Sequence, residues 1–166
     1  LEGDLRRKAG RRQQRATIWI VCEGKRTEPS YFQGLLRSLG INPDMARAVP
    51  SQYGNDPRSV VRYAEDLLKG DAEVDRIWCV FDRDQHSTFE EAQQRVRAKR
   101  SRDADRLRAA ASIPCFEFWL LLHLRNATAP FRAAGGGSEC EEVQQAIRRE
   151  MRDYDKADPD IFERFR

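Results

Sequence analysis

Two apolar runs in this 166-residue chain end in acid, and those acids are the residues best placed to do chemistry. Ala16–Cys22 (ATIWIVC) stops at Glu23-Gly24, and Arg76–Phe81 (RIWCVF) stops at Asp82-Arg83-Asp84. Both runs are rich in β-branched and aromatic residues, the signature of strands buried on two faces. The acids therefore fall at strand ends rather than on solvated helix faces. If the second strand continues through them, Asp82 and Asp84 point to one side and Arg83 to the other. Clustered carboxylates repel one another unless a cation joins them, and hard oxygen ligands suit Mg²⁺ or Mn²⁺. Such an ion keeps waters for a phosphate-bearing substrate, so phosphoryl chemistry is the natural use of the site. An isolated DxD serves equally well as a loop cap or a surface ion pair. The acid ending a second strand tips the balance toward metal.

Other residues extend the constellation. Glu117 lies within Phe116–Leu124 (FEFWLLLHL), where a lone carboxylate is costly without a partner. It is expected either to join the metal site or to sit in a salt bridge or at a helix N-terminus. Lys25 and Arg26 occupy the turn leading into a helix, a position suited to phosphate as well as to plain surface charge. Lys156 is a third candidate phosphate contact. Glu28 precedes Pro29 at a helix start, where capping competes with metal binding. His86, two residues past the DxD, is either a general acid or a solvated loop histidine. His123 reads as a hydrogen-bonded core residue, and Trp19, Trp78 and Trp119 read as packing rather than base-stacking residues.

Positioning these groups requires a scaffold. Tyr31, Phe32, Leu35, Leu36 and Leu39 recur with helical spacing before Gly40, and Val60, Val61, Ala64, Leu67 and Leu68 do so before Gly70. Residues 45–50 and 107–113 read as weaker strands. Thr88 with Glu91 predicts a capping box for a helix to about Lys99. Residues 126–138, with Pro130 and three consecutive glycines, read as a flexible loop, and Glu139–Met151 as a final amphipathic helix. Strands alternating with helices imply an α/β, Rossmann-like three-layer domain with a mainly parallel central sheet flanked by helices, binding its ligand beyond the strand carboxyl ends.

Length favours one domain, residues 16–166, behind a basic arm over 1–15 that carries Arg6, Arg7, Lys8, Arg11, Arg12 and Arg15. The arm reads as a disordered tail, with phosphate contact as the alternative. A formal net charge of +3 argues against a histone-like nucleic-acid binder. No apolar run reaches the ~18 residues of a membrane span and no secretory h-region opens the chain, so a soluble, cytoplasmic protein without membrane contact is expected. Cys22, Cys79, Cys115 and Cys140 form no CxxC pair and read as reduced, packed thiols rather than a zinc site.

Three motifs carry a family resemblance. Ile20-Val21-Cys22-Glu23-Gly24-Lys25-Arg26-Thr27-Glu28-Pro29-Ser30-Tyr31-Phe32, Val80-Phe81-Asp82-Arg83-Asp84 and Pro114-Cys115-Phe116-Glu117-Phe118-Trp119-Leu120-Leu121-Leu122-His123 closely resemble those of the RloB-like family, bacterial proteins associated with phage defence and abortive infection. Tyr154-Asp155-Lys156 is a weaker fourth, and the likeness spans Thr17 to Lys156. The family in turn resembles a divergent Toprim domain, in which a Glu-Gly ends the first strand and a DxD a later one. That resemblance implies Glu23 as general base or acid and Asp82 and Asp84 as ligands of Mg²⁺ or Mn²⁺. It further implies nuclease activity on DNA or RNA in antiphage defence, in some members beside a partner such as an ATPase encoded nearby. A non-catalytic partner or sensor subunit is the alternative, and a nucleotidyl-transfer or primase-like enzyme a third reading. One departure stands out: the family pattern usually has Asn where this chain has Ile113.

Overall fold

The computed structural model describes residues 16–70, 74–84, 86–98, 105–133 and 136–166. The basic arm lies outside them. Four strands, β1 (Ile18–Cys22), β2 (Ala46–Pro50), β3 (Arg76–Asp82) and β4 (Leu107–Ser112), form one sheet in the order β2-β1-β3-β4. Every pairing is parallel, with Cys22 level with Pro50 and Val80, and Asp82 level with Ser112. All strand carboxyl ends therefore lie along one edge. The chain order reverses direction between β1 and β3, the switch point where open α/β sheets leave a crevice.

The two-residue period of the strands divides the core. Val21, Ile77, Cys79, Phe81 and Leu107 face α2 (Pro57–Gly70) and α3 (Phe89–Arg97), with Val60, Val61, Ala64 and Phe89 completing that layer. Cys22 and Val80, with Ile20 partly buried, face the other way. They meet α1 (Thr27–Ser38), α4 (Phe116–Leu124), α5 (Glu139–Glu150) and α6 (Ile161–Phe165), which contribute Tyr31, Phe116, Leu120, Leu121, Val143, Ile147 and Phe162. The result is three layers, helices on both faces of a parallel sheet, as the alternation of elements predicts. Asp82 shares the parity of Val80 and so belongs to the α1/α4 face.

Several local expectations are corrected. Thr88 stands at the α3 N-cap but makes no capping bond; its hydroxyl donates to Asp56 Oδ1 at 3.2 Å, so no box with Glu91 forms, and α3 ends at Arg97. The capping box is instead at α5, where Ser138 Oγ accepts from the Glu141 N–H and Glu141 Oε2 accepts from the Ser138 N–H. A further short helix, α6, follows α5; its Phe162 fits against Gly34, where any β-carbon would collide with the ring. Trp78 and Trp119 are 37% and 48% exposed rather than buried, because the helices of the second layer leave part of that sheet face and the outside of α4 uncovered. His123 does find its hydrogen bond, to the Tyr31 hydroxyl, which also accepts from Trp119 Nε1, but its ring is exposed at the surface. Within 126–138, Phe131 packs edge-on against Phe118, so this part of the loop is anchored by an apolar contact.

Candidate active site

At the carboxyl edge of β1, the chain passes from Cys22 into Glu23 while its N–H still bonds Val80 O at 2.9 Å, as though the strand continued one residue further. The side chain turns across to β3: Glu23 Oε2 accepts the Asp82 N–H at 2.8 Å. Oε1 meets His86 Nε2 at 2.8 Å. Both oxygens of Glu23 are thus held, one by the neighbouring strand and one by the loop that follows it.

Gly24 comes next for a steric reason. A β-carbon there would fall on the Glu28 carboxylate, so any larger residue would make that side chain shift. Glu28 is the second residue of α1 and Glu117 the second residue of α4, and both are buried. Two helix N-termini therefore point toward one spot, and their unsatisfied N–H groups favour negative charge there. The backbone at Phe116, at the start of α4, lowers the proton affinity of Asp82, and the backbone at Gly24 lowers that of Glu28. The positive helix ends lessen, without removing, the repulsion of four acids.

That repulsion shows in their proton affinities. Burial, reinforced by the charges of Glu28, Glu23 and Glu117, pushes the Asp82 carboxyl up to about 9. Burial, with Glu117 and Glu23 adding, lifts Glu28 to about 7. Glu23 is raised by burial, opposed by the Asp82 N–H and His86 and reinforced by Asp56 and Asp84. Asp82 Oδ1 is shut off from solvent with no hydrogen-bond partner. The Tyr154 hydroxyl is likewise buried and unpartnered; burial and Glu117 both raise its proton affinity.

These groups line a cleft of about 450 Å³ bounded by Glu23, Glu28, Asp82 and Glu117, with Lys25, Arg26 and Lys156 on its walls. Thr27 Oγ1 donates to Lys156 O at 2.6 Å, and this bond brings the two basic segments to one cleft across 129 positions of sequence. Glu117 Oε1 also accepts from Gln144 Nε2 at 3.3 Å. Glu23, Lys25, Arg26, Glu28, Asp82, Glu117 and Lys156, all singled out from the sequence, line this cleft. Asp84 does not: β3 ends at Asp82, so the alternation that would align the two aspartates stops between them. Asp84 is an exposed turn residue with φ of 28°, its N–H bonded to Pro114 O at 3.0 Å, and it reaches Glu23 only through its charge.

Sequence reasoning gave too little weight to two residues. Glu28 was balanced between cap and ligand, and what distinguishes it is the glycine four residues earlier, which clears space for its carboxylate. The local signal of His86 is its place two residues past the DxD; its contact with Glu23 exists only because β1 and β3 are neighbours. Among the described residues, no group of three or more His, Cys, Asp or Glu is already arranged to hold a metal ion. The donor chemistry is that of a hard cation: carboxylate oxygens crowded together, with Asp82 Oδ1 left without a partner.

Comparison with known families agrees with the three motifs. The chain matches the family described as RloB-like protein over residues 18–164. It belongs to the RloB-like family. The matched region includes every residue that lines the cleft, from Glu23 to Ala157. Comparison with curated proteins and with solved structures returned no match. All four cysteines are buried free thiols, and no helix among the described residues is long and apolar enough to cross a membrane.

Proposed function

We propose that this RloB-like protein is a Mg²⁺- or Mn²⁺-dependent nuclease of Toprim-like design, cleaving phosphodiester bonds of DNA or RNA in bacterial antiphage defence. The observation that carries the reading is the buried, unpartnered Asp82 Oδ1 in a residue lining a cleft shared by four acids and three cations. Asp82 would be the principal ligand, with Glu117 and Glu28 beside it in the cleft lining. The metal, when bound, supplies charge stabilisation at phosphate and a water of lowered pKa. Glu23 handles the proton: it is held at both oxygens, raised by burial, and stands next to the ligands. Lys25, Arg26 and Lys156 take the flanking phosphates, where point charges and a helix N-terminus favour anions.

The test is cleavage of labelled DNA and RNA by the full chain with Mg²⁺ or Mn²⁺, beside Glu23→Gln and Asp82→Asn. Loss of cleavage in both variants is expected. Equal cleavage by all three proteins would overturn the assignment.

A second reading has its own support. The acids are not yet set at ligand geometry and His86 occupies Glu23, as suits a non-catalytic sensor or partner subunit, for instance of an ATPase encoded nearby. That reading predicts tight association with the partner and no change in it when Glu23 becomes Gln.

A further inference from the structure

The loop from Ser51 to Asp56 closes one side of the cleft. Its Ser51 N–H bonds Cys22 O at 2.8 Å, directly before Glu23, and its Asn55 lines the cleft. Asp56 accepts from Ser59 and from Thr88, which ties the loop to the segment carrying His86. Between these fixed points Gly54 adopts φ of 145°, a backbone state that L-residues rarely enter. The residue on the outer side of that turn is Tyr53, half exposed. Its Cα can lie no more than about 7 Å from that of Asn55.

Tyr53 is not a loosely held surface ring. Its hydroxyl donates to Asp66 Oδ2 at 3.2 Å, its ring meets Tyr63 edge-on at 5.2 Å between centroids, and the Arg62 guanidinium lies 5.7 Å from its ring centre. Three side chains of α2 thus fix the orientation of a ring that no core requires. A ring held in place, half open to solvent, two residues from the cleft-lining Asn55 and with an arginine over one face, has the properties of a stacking platform.

Resting on the proposed nuclease reading, we propose that Tyr53 stacks an unpaired nucleobase of the strand whose phosphate enters the acidic cleft, on the ring face opposite Arg62. The substrate is then a single strand, or a duplex with an unpaired end, because a base within a helix has no face to offer. Stacking on tyrosine reads no sequence, so the preference is for strandedness alone.

The experiment measures anisotropy of labelled 12-nucleotide strands with the full chain in Ca²⁺, which holds phosphate without turnover. The strands are intact single-stranded, abasic single-stranded and blunt duplex, each tested with wild type, Tyr53→Phe and Tyr53→Ala. Unaltered thermal melting establishes that both variants are folded. Wild type and Tyr53→Phe are expected to bind the intact strand about tenfold more tightly than Tyr53→Ala does, with abasic strand and duplex indifferent to the substitution. Equal binding of intact and abasic strands, or an unaffected Tyr53→Ala, overturns the platform. A mononucleotide that displaces the strand in a Tyr53-dependent way at similar concentration overturns the strand as ligand in favour of a nucleotide. Failure of wild type to bind any strand overturns platform and nuclease together, whereas Tyr53-dependent binding without cleavage in Mg²⁺ overturns only the nuclease reading.

Discussion

Replacing Asp82 by Asn removes the buried acid while keeping its size, and it is expected to stabilise the metal-free protein. In the unfolded chain an aspartate titrates in the ordinary range near 4, whereas in the fold Asp82 is held up to about 9 by burial and by Glu28, Glu23 and Glu117. With the folded value above the unfolded one, the unfolded state binds fewer protons between them, so stability is fully present below pH 4 and falls as pH rises toward 9. From pH 4 to 7 there are about three units at about 1.4 kcal/mol each, a ceiling of roughly 4 kcal/mol at neutrality. Relaxation of the cleft and water entry lower that figure, and an amide that must find its own partners lowers it further. A gain of about 2 kcal/mol is expected for Asp82→Asn at pH 7 in EDTA. Urea denaturation at half-unit steps from pH 5 to 8 measures it. Wild type should lose stability across that window, most steeply below about 7, where Glu28 keeps its proton in the fold but not in the unfolded chain, and the variant should lose less. Mg²⁺ should flatten the wild-type curve, because a cation replaces the proton, and leave the variant unmoved. A destabilised variant together with a flat wild-type curve in EDTA would refute the reasoning.

Other consequences are independent of that titration. Gly34→Ala gains about 1 kcal/mol of helix propensity but drives a methyl into Phe162; overpacking of this kind costs about 1–3 kcal/mol, so net destabilisation in urea is expected, and a stabilised protein would contradict the α1–α6 packing. Alanine at Lys25, Arg26 or Lys156 should weaken strand binding evenly across sequences and reduce the slope of log affinity against log salt by about 0.7 per residue; an unchanged slope would remove that residue from the phosphate path. Gly24→Ala should impair cleavage more than folding, since the colliding group is the Glu28 carboxylate rather than the core; equal activity to wild type would show that Glu28 stands outside the chemistry.

What the sequence discloses and what it hides follow from locality. Strand ends are local: the apolar runs into Glu23 and Asp82 mark them, and the parallel register then brings the two acids within one hydrogen bond. Lys156 could be proposed from its motif, but its seat opposite Lys25 depends on a hydroxyl of Thr27 meeting a backbone carbonyl 129 residues away. Asp84 shows the limit of periodicity, for a single backbone angle of 28° two residues past the strand end cancels the alternation on which its pairing with Asp82 rested. Trp119 illustrates a second limit. Its helix is apolar on all sides, which reads as full burial, yet the indole lies 48% exposed and hydrogen-bonded to Tyr31. Whether an apolar face is covered depends on elements elsewhere in the chain. Thr88 is a third case: its spacing to Glu91 suits a cap, but Asp56 from another loop takes the hydroxyl instead.

The central claim, that the acids exist to hold a divalent ion, is tested most directly by titrating Mn²⁺ into the full chain at pH 7.5 and following the free ion by electron paramagnetic resonance. The proposed metal site predicts saturable loss of the free-ion signal in wild type, competed by Mg²⁺ and abolished in Asp82→Asn. A free-ion signal that rises in proportion to added Mn²⁺, or binding that Asp82→Asn leaves intact, would contradict it.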